Sequence, residues 1–257
     1  MERSKQGEFA TIDLAAKDFE GQSAFYEQLF GWTHEDVPTG SGPYRMFSKE
    51  GGAVAGAFTI SPDMEAAGVP SMWNTYIAAD DVDAVAAKAV ELGGQIIMPV
   101  ADAEGYGRFV GLADPTGGAF FLWHSAKPDA SAIYSQPGAL AWNDLSTRDP
   151  EKAVTFFKEL FGWDIQSMEG GPMPYWMISV DGSGQAGIMP MPEMMPAEVP
   201  ANWLVYFGAD DVHATAERAV SLGGSVVVGP MDSAGTVWAV VQDPAGATFG
   251  LLQTANS

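Results

Sequence analysis

Two aspartates carry the clearest chemical potential in this sequence. Asp13 stands in the apolar stretch 9–16, and Asp13-Leu14 returns 131 residues later as Asp144-Leu145. A carboxyl group in apolar surroundings is pushed toward the proton affinity of a general base, or it anchors the cationic part of a ligand. The alternative is a structural carboxylate bound to neighbouring backbone, or one at a rim in water; repetition suits either. Four tyrosines recur in the same way, Tyr44 with Tyr175 and Tyr76 with Tyr206. Each offers a large apolar area with a polar tip, which serves a ligand wall and a packed core equally. Arg108 could position an anionic group, but Val237 takes its place in the second half, so the halves are chemically unequal there. The three histidines, His34, His124 and His213, read as surface residues. No Gly-X-Ser-X-Gly elbow accompanies them, and the glycine-rich turns lack the lysine and helix of a phosphate loop.

The elements that hold these residues repeat. Residues 73–94, WNTYIAADDVDAVAAKAVELGG, return as 203–224, WLVYFGADDVHATAERAVSLGG, with 13 of 22 positions identical. Such a match at a fixed offset marks a duplication. In each copy a strand leads into an aspartate cap, a helix with one apolar face and a Leu-Gly-Gly stop. An aspartate-capped aromatic helix ending at Phe30-Gly31-Trp32, and again at Phe161-Gly162-Trp163, opens each half. Asp114-Pro115-Thr116-Gly117 reads as a turn before a last strand. The pattern predicts four β-α-β-β-β modules over residues 9–60, 72–124, 140–191 and 202–254. Paired in order they form domains 1–124 and 140–257, joined by an Ala/Ser/Pro-rich linker over 125–139. The loop 61–70 separates the first two modules. The proline-interleaved methionines of 189–200 read either as an adaptable lip over an apolar ligand or as a connector filling a seam.

Composition narrows the function classes. With 257 residues there is room for two cores without staples, and the absence of cysteine removes disulfides, thiolate metal ligands and cysteine nucleophiles. A formal charge of −21 repels nucleic acid and anionic membrane surfaces and favours a cationic guest. No apolar run reaches the roughly 20 residues of a membrane span, and the first residues lack a signal-peptide core. The expectation is a cytoplasmic monomer folded as an intrachain pseudo-dimer.

Taken in order and twice over, Asp18 with Phe25-Tyr26, Phe30-Gly31-Trp32, Ala79-Asp80-Asp81-Val82-Asp83, Leu92-Gly93-Gly94 and Asp114-Pro115-Thr116-Gly117 resemble the vicinal-oxygen-chelate superfamily. That group includes glyoxalase I, the extradiol dioxygenases and the bleomycin-binding proteins. The tandem arrangement is similar to actinobacterial glyoxalase-like proteins. The resemblance implies an α+β fold whose paired modules make half-barrels around a cavity, with a divalent metal held there by His and Glu. Carried across, its ligand positions fall at Thr11, Asn74 and Phe121 in the first domain and at Trp142, Leu204 and Gly250 in the second. None is a usual ligand, and a catalytic metal needs about three. We therefore expect neither metal nor other cofactor. Asp13 and Asp144 share the strand parity of Thr11 and Trp142. With Tyr44, Asn74, Tyr76, Arg108, Phe121, Trp142, Tyr175, Leu204, Tyr206 and Trp238 they make up the expected site. The leading expectation is binding or sequestration of a small organic molecule, apolar, aromatic or cationic. The alternatives are a metal-independent enzyme using Asp13 or Asp144 with a tyrosine, a metal-dependent glyoxalase or dioxygenase, and a secreted or surface interaction protein.

Overall fold

The computed structural model describes residues 4–39, 42–127, 133–171, 173–233 and 235–253. Part of the expected linker, 128–132, and residue 254 at the expected end of the fourth module lie outside this set. The first module is β1 (Phe9–Ala16), α1 (Phe19–Phe30), β2 (Thr33–Thr39), β3 (Gly42–Lys49) and β4 (Gly52–Thr59). The expected loop after it contains a short helix, α2 (Pro62–Ala66): Ser61 accepts from the Met64 N–H and Pro62 begins the turn, a start signal the loop reading passed over. The second module is β5 (Met72–Ala78), α3 (Val82–Glu91), β6 (Gln95–Ala103), β7 (Gly107–Ala113) and β8 (Ala119–Ser125). The third is β9 (Leu140–Thr147), α4 (Pro150–Phe161), β10 (Asp164–Met168), β11 (Tyr175–Val180) and β12 (Ser183–Pro190). The fourth is β13 (Asn202–Gly208), α5 (Val212–Ser221), β14 (Ser225–Ser233), β15 (Thr236–Gln242) and β16 (Thr248–Gln253). The fold is α+β, built from four β-α-β-β-β modules.

The modules share sheets in sequence order. One eight-stranded sheet runs β2-β3-β4-β1-β5-β8-β7-β6, and the other runs β10-β11-β12-β9-β13-β16-β15-β14. Aspartates start all four long helices: Asp18, Asp81, Asp149 and Asp211 accept from the N–H three residues on, at 3.0–3.1 Å. Each thereby satisfies one of the N–H groups that a helix start leaves unpaired. Gly31 and Gly162 end α1 and α4 in the left-handed region, at φ 73° and 74°.

Packing groups the chain differently from the sheets. One compact unit, unit 1, comprises Met1–Ala10, Thr75–Ser131 and Asn143–Leu204; the other, unit 2, comprises Thr11–Asn74, Ala132–Trp142 and Val205–Ser257. Unit 1 buries α3 and α4 around Phe120, Phe156, Phe157, Trp163 and Trp203. Unit 2 buries α1 and α5 around Phe25, Tyr26, Phe30, Phe207 and Phe249. Hence the second module packs its helix with that of the third, and the first with that of the fourth. The last glycine of each Leu-Gly-Gly stop is closely surrounded: a Cβ on Gly94 would stand 2.9 Å from the Ala89 carbonyl oxygen and 3.3 Å from the Phe156 ring, and one on Gly224 2.8 Å from the Gln242 carbonyl oxygen and 3.2 Å from the Phe25 ring. The Phe-Gly-Trp motif also acquires a role, because the Trp32 indole N–H donates to the Gly138 carbonyl at 2.7 Å and Trp163 to that of Gly7 at 2.9 Å. Each tryptophan ties its unit to the chain entering a first strand.

Candidate functional site

Strand alternation decides which side chains can form a site. In unit 2, Ile12, Leu14 and Ala16 join the helix-side core, as do Trp73, Val205, Phe207, Ala239 and Val241. With a two-residue period, Thr11, Asp13, Asn74, Tyr206 and Trp238 then lie on the opposite face. In unit 1, Ile77, Phe120, Leu122, Leu145 and Ile178 are core, which places Tyr76, Phe121, Asp144 and Tyr175 on the face away from the helices.

Asp13 is only 2% exposed and sits opposite Gly56 in the parallel pair of β1 and β4. Tyr44 reaches it across that glycine; a Cβ on Gly56 would stand 1.9 Å from the tyrosine oxygen. The Tyr44 hydroxyl donates to Asp13 Oδ2 at 3.4 Å, and the Asn74 amide donates to Oδ1 at 2.9 Å. Burial, the Asp13 charge and the hydrogen bond to it push the Tyr44 phenol well above its ordinary range, so it remains a neutral donor. Unit 1 repeats the arrangement. Asp144 lies opposite Gly187, whose missing Cβ leaves space for Tyr175, and the Tyr175 hydroxyl donates to Asp144 Oδ1 at 2.7 Å. Leu204, the counterpart of Asn74, has no amide to offer. On β5 and β8 Tyr76 stacks on Phe121 with centroids 4.9 Å apart, and Trp123 meets Tyr76 edge-on at 6.5 Å.

Arg108 departs from the expectation. It has the parity of the core residues Val110 and Leu112, and its guanidinium pairs with Asp83 at the start of α3 and with Asp102, at 2.8 and 2.7 Å. Its side chain is 38% exposed on the helix side. The same alternation that favours the tyrosines excludes it. His34 lies beside Glu27, His124 Nδ1 is 3.0 Å from the Ala79 carbonyl oxygen, and His213 is exposed on α5. Thr75 and Asn143, absent from the expected site, are buried and joined by a 3.0 Å hydrogen bond in unit 1; alternating parity would have placed them on the helix side.

The donor set does not suit a divalent ion. Among the described residues no three His, Cys, Asp or Glu side chains converge in a way that could hold one. Both oxygens of Asp13 already accept hydrogen bonds, and the neighbouring side chains are amide, phenol or aromatic. What the two pairs offer instead is a fixed carboxylate with a tyrosine held against it, in each unit.

Known proteins resemble this chain over most of its length. Residues 8–120 match the profile of the glyoxalase/bleomycin resistance protein/dioxygenase superfamily, and residues 143–252 match that of a glyoxalase-like domain. CFP32 of Mycobacterium tuberculosis, described as a candidate glyoxylase, is 40% identical over 98% of this chain and 96% of its own length. The anthracycline biosynthesis protein DnrV of Streptomyces peucetius is 32% identical over 98% of this chain and 95% of its own. Among solved structures, an Mn(II)-bound glyoxalase from Novosphingobium aromaticivorans aligns with a TM-score of 0.68 at 19% identity, over 100% of this chain and 84% of that one. A 2,3-dioxygenase, LapB of Pseudomonas sp. KL28, aligns with a TM-score of 0.67 at 12% identity, over 98% and 94%. At those identities the structures speak for the fold. Among the described residues no helix is long and apolar enough to cross a membrane.

Proposed function

Because the chain belongs to the glyoxalase/bleomycin resistance protein/dioxygenase superfamily, we propose that it uses that fold to bind a small aromatic or cationic organic molecule without a metal. One observation carries this reading: the positions to which the resemblance assigns metal ligands hold Thr11, Asn74, Phe121, Trp142, Leu204 and Gly250, while the nearby carboxylate Asp13 accepts from Tyr44 and Asn74. The side chains on the same strand faces suit such a guest. Tyr76, Phe121 and Trp123 in unit 1, and Tyr206 and Trp238 in unit 2, supply ring faces for stacking. The negative charge of Asp13 and Asp144 on these faces favours a guest with a cationic group. The name of DnrV suggests a polycyclic aromatic polyketide as the probe to try first.

The test is a titration of exhaustively chelated protein with an anthracycline, read by tryptophan fluorescence, with Mn(II) or Zn(II) then added. Saturable quenching that the metal leaves unchanged is expected. Quenching only in the presence of metal overturns the metal-free reading, and no quenching at all overturns the ligand class.

A second reading is supported by the 2.7 Å bond between Tyr175 and Asp144, the geometry of an acid and base held ready for proton transfer. In that case the protein is a metal-independent enzyme acting on an aldehyde or a polyketide. Asp13→Asn and Asp144→Asn should then abolish turnover in variants that still fold; turnover that survives both dismisses it.

A further inference from the structure

One buried hydrogen-bond network of unit 2 has no counterpart among the described residues of unit 1. In unit 2, Asp243 Oδ2 accepts from Gln22 Nε2 at 2.6 Å and from the Tyr26 hydroxyl at 3.0 Å, and Tyr26 in turn accepts from Trp73 Nε1 at 2.9 Å. Gln22 Oε1 accepts from the Ser71 hydroxyl at 3.1 Å, which closes the network. The repeat carries these residues to Asp114, Ala153, Phe157, Trp203 and Ala201 in unit 1. The aspartate and the tryptophan are kept, while the amide and both hydroxyls are gone. Correspondingly, Asp114 Oδ2 and Trp203 Nε1 are the two buried side-chain polar atoms without a hydrogen-bond partner among the described residues.

These two orphans are an acceptor and a donor. In unit 2 a single hydroxyl, that of Tyr26, joins their counterparts. Phe157 keeps the ring geometry of Tyr26: it meets Trp203 edge-on at 5.6 Å and 77°, as Tyr26 meets Trp73 at 5.0 Å and 82°. The substitutions Gln to Ala, Ser to Ala and Tyr to Phe also remove six non-hydrogen atoms from the corresponding region. Asp114 is 3% exposed and Trp203 7%, so bulk solvent does not reach them freely. A buried polar group without a partner is rare in a folded protein, and an internal water is the usual partner where space and two or more polar groups coincide.

We propose that unit 1 contains an internal water site at the place of the missing Tyr26 hydroxyl, in which a water accepts from Trp203 Nε1 and donates to Asp114 Oδ2. The site is independent of the proposed ligand function. It follows that Phe157→Tyr expels the water and supplies both hydrogen bonds from the chain.

The experiment is solution NMR on the full chain, with the indole N–H signal of Trp203 assigned through Trp203→Phe. A cross-peak between that N–H and a long-lived water is expected in the wild type, and its loss is expected in Phe157→Tyr. The signal should keep its dispersion in the variant, which shows that the fold is intact. Absence of the water cross-peak in the wild type, or its persistence in Phe157→Tyr, overturns the proposal. A crystal structure in which no water peak lies within hydrogen-bond distance of both Asp114 Oδ2 and Trp203 Nε1 overturns it as well.

Discussion

Helix α1 of unit 2 carries Gln22 and Tyr26 where helix α4 of unit 1 carries Ala153 and Phe157, yet the turn before β16 or β8 opens on the same buried aspartate, Asp243 or Asp114. Both aspartates also perform the same local task. Asp243 Oδ1 accepts from the N–H groups of Ala245 and Ala247, and Asp114 Oδ1 from those of Thr116 and Gly118, so each fixes the turn before a last strand. Only the outer oxygen differs in its fate. The turn requires the aspartate whatever the helix offers, so an apolar helix leaves a polar atom behind. The aromatic surroundings are alike in the two units, since Phe157 stacks on Trp163 at 5.2 Å as Tyr26 stacks on Trp32 at 5.9 Å. The internal water proposed above takes the place of the lost protein partners, because a buried polar atom left unpaired costs about 1–3 kcal/mol.

Asp243→Asn should widen the contrast most. It turns an oxygen that accepts from Gln22 and Tyr26 into an amide facing the Gln22 donor, and the expected loss is about 2–3 kcal/mol by the penalty for a buried unsatisfied group. Asp114→Asn has no such donors to offend and should change stability at neutral pH by less than about 1 kcal/mol. Chemical denaturation of the two variants compares them directly. Equal losses would mean that the network in unit 2 contributes nothing beyond the turn.

The Tyr–Asp pairs give the next largest effect. Gly56→Ala and Gly187→Ala place a methyl group where Tyr44 and Tyr175 lie, and each tyrosine must swing off its aspartate. If the pairs recognise the ligand, each change should weaken anthracycline binding about tenfold, equivalent to about 1.4 kcal/mol. The unit with the larger loss is then the one that holds the guest.

Much of this was legible from residues alone. The duplicated 22-residue stretch with its aspartate caps and glycine stops fixes the modules, because caps and stops act locally and leave local signatures. The tyrosine and aspartate parities were legible too, since a strand has only two faces. Arg108 was misread for want of the same count, as Val110 and Leu112 show its side to be the helix side. What no local signal announces is the partnership of α1 with α5 and of α3 with α4. Gly94 and Gly224 hint at it only after Phe156 and Phe25 are seen against them. The orphaned pair in unit 1 depends on that partnership and was equally hidden.

Acidity offers a sharper test of the two aspartates. Burial pushes the Asp114 carboxyl above its ordinary value, opposed by the bonds from Thr116, Gly118 and Gly117, and no charged group contributes to the shift. Between the unfolded value of about 3.9 and the raised folded one, the native state holds more protons than the unfolded state. Stability from this group is therefore complete below about pH 3.9 and declines as pH rises through the folded value. Asp114→Asn should flatten that decline while leaving the remainder of the pH profile in place. Denaturation curves from pH 4 to 7 measure it, and an unaltered slope would show that Asp114 titrates as it does in the unfolded chain.

Arg108 marks the small end of the scale. Its guanidinium is tied to Asp83 and Asp102, but all three side chains are open to water, where ion pairs are screened and the ordering of long side chains offsets the attraction. Arg108→Ala should leave the thermal midpoint within about 1 °C of wild type, as exposed pairs usually do. The more telling readout is ligand affinity. Arg108 and its counterpart Val237 lie on the helix side, and the proposed recognition lies on the other faces of the strands, so the variant should bind an anthracycline as the wild type does. A several-fold loss of affinity would place the ligand on the helix side and overturn the assignment of the Tyr–Asp faces.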